Sequence, residues 1–427
     1  MLRLDQATPE QLAEWEAELS SQYTQFQQAK LDLDLTRGKP SADQLSLSNE
    51  LDGILAGDYT NESGTDLRNY GGLDGIPEAK KLFSEMIGVN DNEIMIGGNG
   101  SLPLMYFTAQ IGLQKGFTEQ ASGAWDQEGE RIKFLAPVPG YDRHFALCEH
   151  LDIELIPVAM TDDGPDMDQV EQLIQADSSI KGMWCVPRFS NPTGIVYSDE
   201  TVQRIARLGK IASDNFRVFW DNAYAVHVLE DNAPKLANLM DACRNEGTED
   251  SVFIYGSTSK ITFAGAGVAF IGSSPANIAA LKRHWGFTSI GPDKINQMRH
   301  VKFLKNSATI ATHMQKHAAI MKPRFDMVLN QLKENLAGLG MGQWTEPRGG
   351  YFISFDSRPG LAREIIQLAA EAGVKLTPAA ATFPYGNDPD DKNIRLAPTF
   401  PSVDDVKQVM EVFVVCVKLA SVRQAIG

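Results

Sequence analysis

Apolar residues fall along this chain in two patterns, one at helical spacing and one in short unbroken runs. Near the N-terminus Leu12, Trp15, Leu19, Tyr23 and Phe26 recur every three or four residues behind Thr8-Pro9-Glu10-Gln11. That string has the form of a capping box with proline at the first helical position, so a helix with one apolar face is predicted there. Such a face must pack against something outside the helix. Asp32 to Pro40 reads as extended. A glycine-rich loop, Asn69 to Gly75, then enters a second helix at Pro77, and Ile94-Met95-Ile96 runs into Gly97-Gly98-Asn99-Gly100-Ser101. Small residues at a helix start leave backbone N–H groups free for an anion, although an ordinary strand-to-helix turn has the same look.

Between about residues 130 and 275 the pattern alternates. Strand-like runs at 132–135, 153–158, 183–186, 218–220, 252–255 and 268–271 are separated, in several places, by helical patterns such as Met167, Val170, Leu173, Ile174 and Val202, Ile205, Ala206. Strands without strict alternation, separated by helices, predict an α/β fold with a mostly parallel sheet covered on both faces. Ligands bind at the C-terminal ends of strands in such sheets. Three segments then share one rim: Asn191 to Gly194, Asp221 to Tyr224, and Ser257 to Lys260. After Pro323 the texture changes to a helix at 324–339, a strand following Gly349-Gly350, a helix at 361–372, the segment Asn393 to Ala397 and a last helix capped by Ser402. This reads as a smaller α+β unit. The expected division is 1–50 as N-terminal helix, arm and part of the small unit, 51–320 as the large ligand-binding unit, and 321–427 as the small C-terminal unit.

At 427 residues the chain is long enough for two or three such units. A formal charge of −16 argues against nucleic acid as a partner and requires any anionic cofactor to be held by local donors. Cys148, Cys185, Cys243 and Cys416 form no C-x-x-C pair, and buried free thiols in a reducing compartment are expected. Met1 to Asp5 leads into polar sequence with no signal-peptide pattern, and the run Val412 to Val417 is too short for a membrane, so a cytoplasmic protein is expected. The seven histidines make no H-E-x-x-H or similar cluster, so no metal is expected.

The rim carries the chemistry. A lysine just past a strand end and behind two hydroxyls, Ser257-Thr258-Ser259-Lys260, suits a Schiff-base nucleophile beside an anion site, though most such strings are solvated loops. An aldehyde cofactor with a pyridine ring and a phosphate needs that lysine. It also needs a carboxylate for the ring nitrogen, hydrogen bonds for the phenolic oxygen, and hydroxyls with N–H groups for the phosphate. Lys260, Asp221, the pair Asn191 and Tyr224, and Ser257 with the Gly100-Ser101 turn supply those types. Asp221 directly follows an apolar strand, where an unpaired carboxylate is costly.

The order Asn191-Pro192-x-Gly194, Asp221-x-x-Tyr224, Ser257-x-Ser259-Lys260 and Arg395 resembles the fold-type I pyridoxal-phosphate aminotransferases of class I, the aspartate aminotransferases most of all. The likeness runs from Tyr70 to Arg395. It implies that Lys260 carries the cofactor as a Schiff base, that Asp221 pairs with the pyridinium, and that Asn191 and Tyr224 bind the ring hydroxyl. Tyr141 would stack on the ring, while Gly100, Ser101, Ser257 and Ser259 line the phosphate and Tyr70 reaches it from a partner subunit. Arg395 would grip the substrate α-carboxylate as a bidentate fork, with Gly38 and Asn191 beside it. Aspartate or glutamate would be the amino donor, and the protein a homodimer with shared sites whose N-terminal helix packs across the interface.

One departure stands out. The family usually reads Ala-Gly-x-Arg-x-Gly after the lysine, and here Gly267 stands at the arginine. Lys294 and Arg188 are the candidate substitutes, and Arg188 reads equally as meeting a substrate side-chain carboxylate or as a structural ion-pair partner. Ser257 to Lys260 also fits S-x-x-K of acyl-serine enzymes, with Ser213-Asp214-Asn215 as S-D-N, but K-T-G is missing and the order is reversed. A lyase or decarboxylase on the same fold, or a non-catalytic cofactor-binding sensor, are the other readings.

Overall fold

Burial on both faces is what turns the unbroken apolar runs into central strands. In the computed structural model, which describes residues 2–117, 123–129 and 131–427, the strands are β1 (Leu33–Asp34), β2 (Ile94–Ile96), β3 (Lys133–Val138), β4 (Glu154–Thr161), β5 (Gly164–Pro165), β6 (Ile180–Cys185), β7 (Arg217–Asp221), β8 (Val252–Ser257), β9 (Ala269–Gly272), β10 (Gly342–Trp344), β11 (Ile353–Ser357), β12 (Val374–Lys375) and β13 (Asn393–Leu396). Eight of them form the main sheet in the order β2-β9-β8-β7-β6-β3-β4-β5. From β8 across to β4 neighbouring strands run parallel. β9 is antiparallel to both β8 and β2, and β5 to β4.

Every residue of β6 and β7 is buried. Side chains alternate between the two faces. Phe134, Trp184, Phe219 and Phe253 go to one core, and Leu135, Cys185, Val218 and Ile254 to the other. The expected α/β architecture is thus present, with strand ends lying up to three residues from those of the apolar runs. All four cysteines are buried and free, as expected. Among the described residues no helix is long and apolar enough to cross a membrane.

The second packing unit is built on the antiparallel strands β10, β11 and β13. The N-terminal helix Pro9–Gln28 has the expected capping box at Thr8. Its face does not wait for a partner subunit. Leu12, Leu19 and Tyr23 share one core with Val409 and Phe413 of the C-terminal helix Val403–Ile426. The Tyr23 hydroxyl, held at the far end of that face, lies 3.0 Å from the Leu368 carbonyl and 3.1 Å from Glu371 Oε2. The expectation that this helix packs across a dimer interface is therefore corrected: its apolar face is consumed within the chain.

A second correction concerns Pro323. One helix runs without interruption from Ser307 to Leu336 and contains that proline, so the expected start after it, and the expected boundary at 320, fall inside a helix. Proline inside a helix costs about 3 kcal/mol through a lost hydrogen bond and a ring clash. Met314 before it and Met321, Phe325, Val328 and Leu332 around and after it are buried. Burying those side chains outweighs the cost.

The first half of this helix carries a buried polar cluster. His313 Nε2 lies 2.8 Å from the Ile261 carbonyl and 3.2 Å from His317 Nε2. Gln44 Nε2 lies 3.3 Å from His317 Nδ1 and 3.1 Å from the Tyr351 hydroxyl. Burial, with His313 adding repulsion, pulls His317 down to about 4. Burial also pulls His227 down to about 3, against the opposing pull of its bond to the Lys260 carbonyl. In the unfolded chain histidine titrates near pH ~6.5, so between there and about pH 4 the unfolded state binds more protons and acid favours unfolding. We expect stability to be full above pH ~6.5 and to fall below it by up to about 1.4 kcal/mol per pH unit per such histidine. Thermal midpoints measured from pH 7 to pH 4 check this. His317→Gln should flatten the decline, and an unaltered slope would assign the acid sensitivity to other groups.

Candidate active site

Three strand ends and one strand of the smaller unit converge on the rim. Asp221 is the last residue of β7, in the middle of the sheet, and is buried. Its Oδ2 lies 3.0 Å from His144 Nε2. The His144 ring is itself stacked on Trp184, with centroids 4.2 Å apart and planes 12° from parallel. Asp221 Oδ1, equally buried, has no hydrogen-bond partner. A buried acceptor left unpaired costs about 1–3 kcal/mol, and more when charged. The carboxylate is thus held rigidly on one side and bare on the other, which fits a cationic N–H donor entering the rim.

Lys260 follows β8 by three residues and is half-buried. Burial lowers its pKa below the ordinary lysine value, and the negative charge of Asp221 works in the opposite direction. Its Nζ lies 5.2 Å from the ring centroid of Tyr224 and 5.8 Å from that of Tyr351. Its backbone is pinned as well, since the Lys260 carbonyl accepts from His227 Nε2 at 3.2 Å and from the Tyr351 hydroxyl at 3.5 Å.

The hydroxyls ahead of the lysine tie two turns together. Ser257 Oγ donates to Ser259 Oγ at 3.2 Å, and Ser259 Oγ donates to the Asn99 carbonyl at 3.0 Å. Gly100, in extended conformation, caps the helix Ser101–Gln114 and offers no side chain to the first-turn N–H groups. Those amides and the helix dipole make a neutral anion cradle. Gly267 belongs to the same knot. A Cβ there would lie 3.1 Å from the Asn99 carbonyl oxygen, the Ser259 nitrogen and Thr258 Oγ1, so any side chain must push the cradle apart. Gly267 thus stands in a closely packed position where the family usually has arginine. A cavity of about 300 Å³ lies between Gly97–Asn99 and Gly265–Val268, with Arg299 on its wall.

Arg395, on β13, brings the smaller unit to the rim. Its side chain is 7% exposed. Nη1 donates to Asp142 Oδ1 at 2.8 Å and to Asn191 Oδ1 at 3.2 Å, and Nε to Thr377 Oγ1 at 3.4 Å. The guanidinium lies 5.0 Å from the Phe352 ring centroid. That ring in turn leaves no room for a side chain at Gly38, where a Cβ would sit 2.4 Å from it. Burial, then Asp221 and Asp142, push the Tyr141 phenol up, while burial, then Tyr141 and Asp221, push up that of Tyr224.

The structure thus gathers Lys260, Asp221, Tyr224, Tyr141, Asn191 and Arg395 in one place, with Ser257, Ser259, Gly100 and Ser101 beside them. Tyr70 stands apart, 84% exposed on its loop. Lys294 donates from Nζ to the Gly71 carbonyl at 2.8 Å. Arg188 is engaged elsewhere: it clasps the carbonyls of Ala225 and Pro234 and lines a cavity of about 880 Å³ against the long helix. The sequence reading passed over His144, Asp142, Tyr351 and Phe352. His144 had a signal, since it lies three residues after Tyr141 in a helix start, which puts both on one side.

This constellation is that of an aminotransferase. The profile of the aspartate amino-transferase family matches residues 7–427, and the chain belongs to that family. It is 44% identical over 408 residues to a Mycolicibacterium smegmatis protein assigned as an aminotransferase, covering 95% of each. It is 40% identical over 413 residues to an aspartate aminotransferase of Corynebacterium glutamicum, covering 96% of this chain and 95% of that one. A crystal structure of an aspartate transaminase from C. glutamicum superposes with a TM-score of 0.95 at 39% identity, covering 99% of both chains. Aminotransferases of this fold use pyridoxal phosphate.

If the bare oxygen of Asp221 is what the cofactor ring needs, Asp221→Ala should lower turnover by at least about a hundredfold, the size of a lost charge contact in a dry site. Steady-state rates with circular dichroism as a folding control check this. Near-normal turnover would mean that another group protonates the ring.

Proposed function

We propose that this protein is a pyridoxal-phosphate aminotransferase with aspartate or glutamate as its amino donor, working as a cytoplasmic homodimer with shared sites. The observation that carries the reading is the bare Oδ1 of Asp221 facing the rim that also holds Lys260 and Arg395. The cofactor, when bound, supplies an electrophilic aldehyde carbon and a ring that accepts the electron pair left by the substrate α-proton.

The chain's own residues do the rest. Lys260, its pKa lowered by burial, keeps more of its Nζ neutral near pH 7, as a nucleophile and proton carrier requires. Asp221 keeps a proton on the ring nitrogen, and His144 and Trp184 keep Asp221 from rotating. Asn191 and Tyr224 would hold the ring hydroxyl, and Tyr141 would pack on the ring. Ser257, Ser259 and the amides at Gly100 and Ser101 take the phosphate. Arg395 takes the substrate α-carboxylate. The donor assignment rests on the likeness to the C. glutamicum aspartate aminotransferase. A reducing cytoplasm suits four buried free thiols.

Shared sites are supported by what lies around Tyr70. Phe287 and Ile290 are 90% and 64% exposed, and the backbone at Gly291 touches that at Gly71, where a Cβ on Gly291 would come within 2.3 Å of the Gly71 oxygen. Tyr70 and Ile290 flank that approach, and exposed apolar side chains of this kind are what subunits cover.

Borohydride reduction of the holoenzyme should fix a pyridoxyl group on the peptide containing Lys260, and amino acids assayed with 2-oxoglutarate should show aspartate as a leading donor. Label on a different lysine refutes the first assignment, and turnover confined to neutral amino acids refutes the second. Subunit exchange tests the dimer. Mixing Tyr70→Ala with Lys260→Ala should restore about a quarter of all sites, because each hybrid holds one doubly defective and one intact site. Activity no higher than the mean of the parents, with exchange confirmed by mass, would place Tyr70 in its own subunit's site.

A further inference from the structure

The guanidinium assigned to the substrate carboxylate already holds a carboxylate. Asp142 is the first residue of the helix Asp142–His150, directly after Tyr141, and its Oδ1 sits 2.8 Å from Arg395 Nη1. The two side chains differ in their surroundings. Arg395 is 7% exposed, whereas Asp142 is 35% exposed and has water to return to. A nearly buried cation without a counter-charge is costly, and Asp142 supplies one from the same chain. A fork grip takes two parallel N–H bonds, and its end-on form needs a hydrogen of Nη1, whose two hydrogens Asp142 and Asn191 now take. Two carboxylates on one guanidinium repel each other, so the grip cannot serve both equally.

We propose that Asp142 is an internal competitor for Arg395, an autoinhibitory carboxylate that every substrate must displace. The inference rests on Arg395 being the α-carboxylate grip. Displacement costs the same for all amino acids and all 2-oxo acids, because it concerns the group they share. A ligand without a carboxylate cannot repay it. Asp142 therefore lowers affinity across the substrate range and enforces the requirement for a carboxylate, while leaving the choice of side chain to other residues. Asn191 Oδ1, 3.2 Å away on the same nitrogen, is neutral and can stay in place.

Calorimetric titration of the holoenzyme with succinate and with butanoate, neither of which can transaminate, reads the effect without turnover. Asp142→Asn keeps the size of the side chain and its place in the first helical turn. It should bind both acids about fivefold more tightly, the factor expected from freeing a site whose latch is a half-exposed ion pair. Asp142→Ser, which removes reach as well as charge, should give the same gain. Arg395→Lys should bind both acids at least about tenfold more weakly, and adding Asp142→Asn to it should gain almost nothing, since the two changes act on one contact. Unchanged or weaker binding by both Asp142 variants, with Arg395→Lys still impaired, would make Asp142 a prop for the arginine and overturn the proposal alone. Full binding by Arg395→Lys would overturn the reading of the grip and the latch with it.

Discussion

The site depends on a carboxylate that cannot be satisfied by the protein alone. Asp221 ends the central strand of a sheet buried on both faces, one oxygen braced by His144 and the other bare. From there its charge casts a field over the rim that the low local dielectric screens weakly. That field reaches its neighbours in opposite senses. It favours the protonated form of Lys260 and disfavours ionisation of Tyr141 and Tyr224. Burial is the larger influence on all three, and this one fixed charge adds to it at the two phenols and opposes it at the lysine.

The lysine and the turns beside it are fixed by contacts to their backbone, whereas Arg395 is held through its side chain. Lys260 is held by bonds to its carbonyl from His227 and Tyr351. The phosphate cradle is closed by Ser259 reaching the Asn99 carbonyl, and Gly267 is required by that closure. A side chain at 267 would make the neighbouring turns give by a few tenths of an ångström.

Strands and their order of chemistry were legible because a buried parallel sheet writes unbroken apolar runs, and because residues at strand ends follow those runs directly. Asp221, Asn191 and Ser257 were found that way. Tertiary constraints were not legible. Pro323 reads as a helix breaker in sequence, and only the burial of Met314, Met321 and Phe325 on either side explains why the helix ignores it. The face of the N-terminal helix announced that it needed a partner without saying which, and the C-terminal helix proved to be the partner. Asp142 was invisible for a related reason: its meaning lies in Arg395, 253 residues away.

The unbroken helix Ser307–Leu336 has a mechanical consequence. Thirty residues make a rod of about 45 Å. Near one end His313 holds the carbonyl of Ile261, next to the lysine, and near the other Phe325, Val328 and Leu332 are sunk in the core that carries β13 and Arg395. The arginine and the lysine are therefore mounted on the two ends of a single stiff beam. The distance between the arginine's strand and the lysine's turn is set by one continuous element and not by a chain of loops.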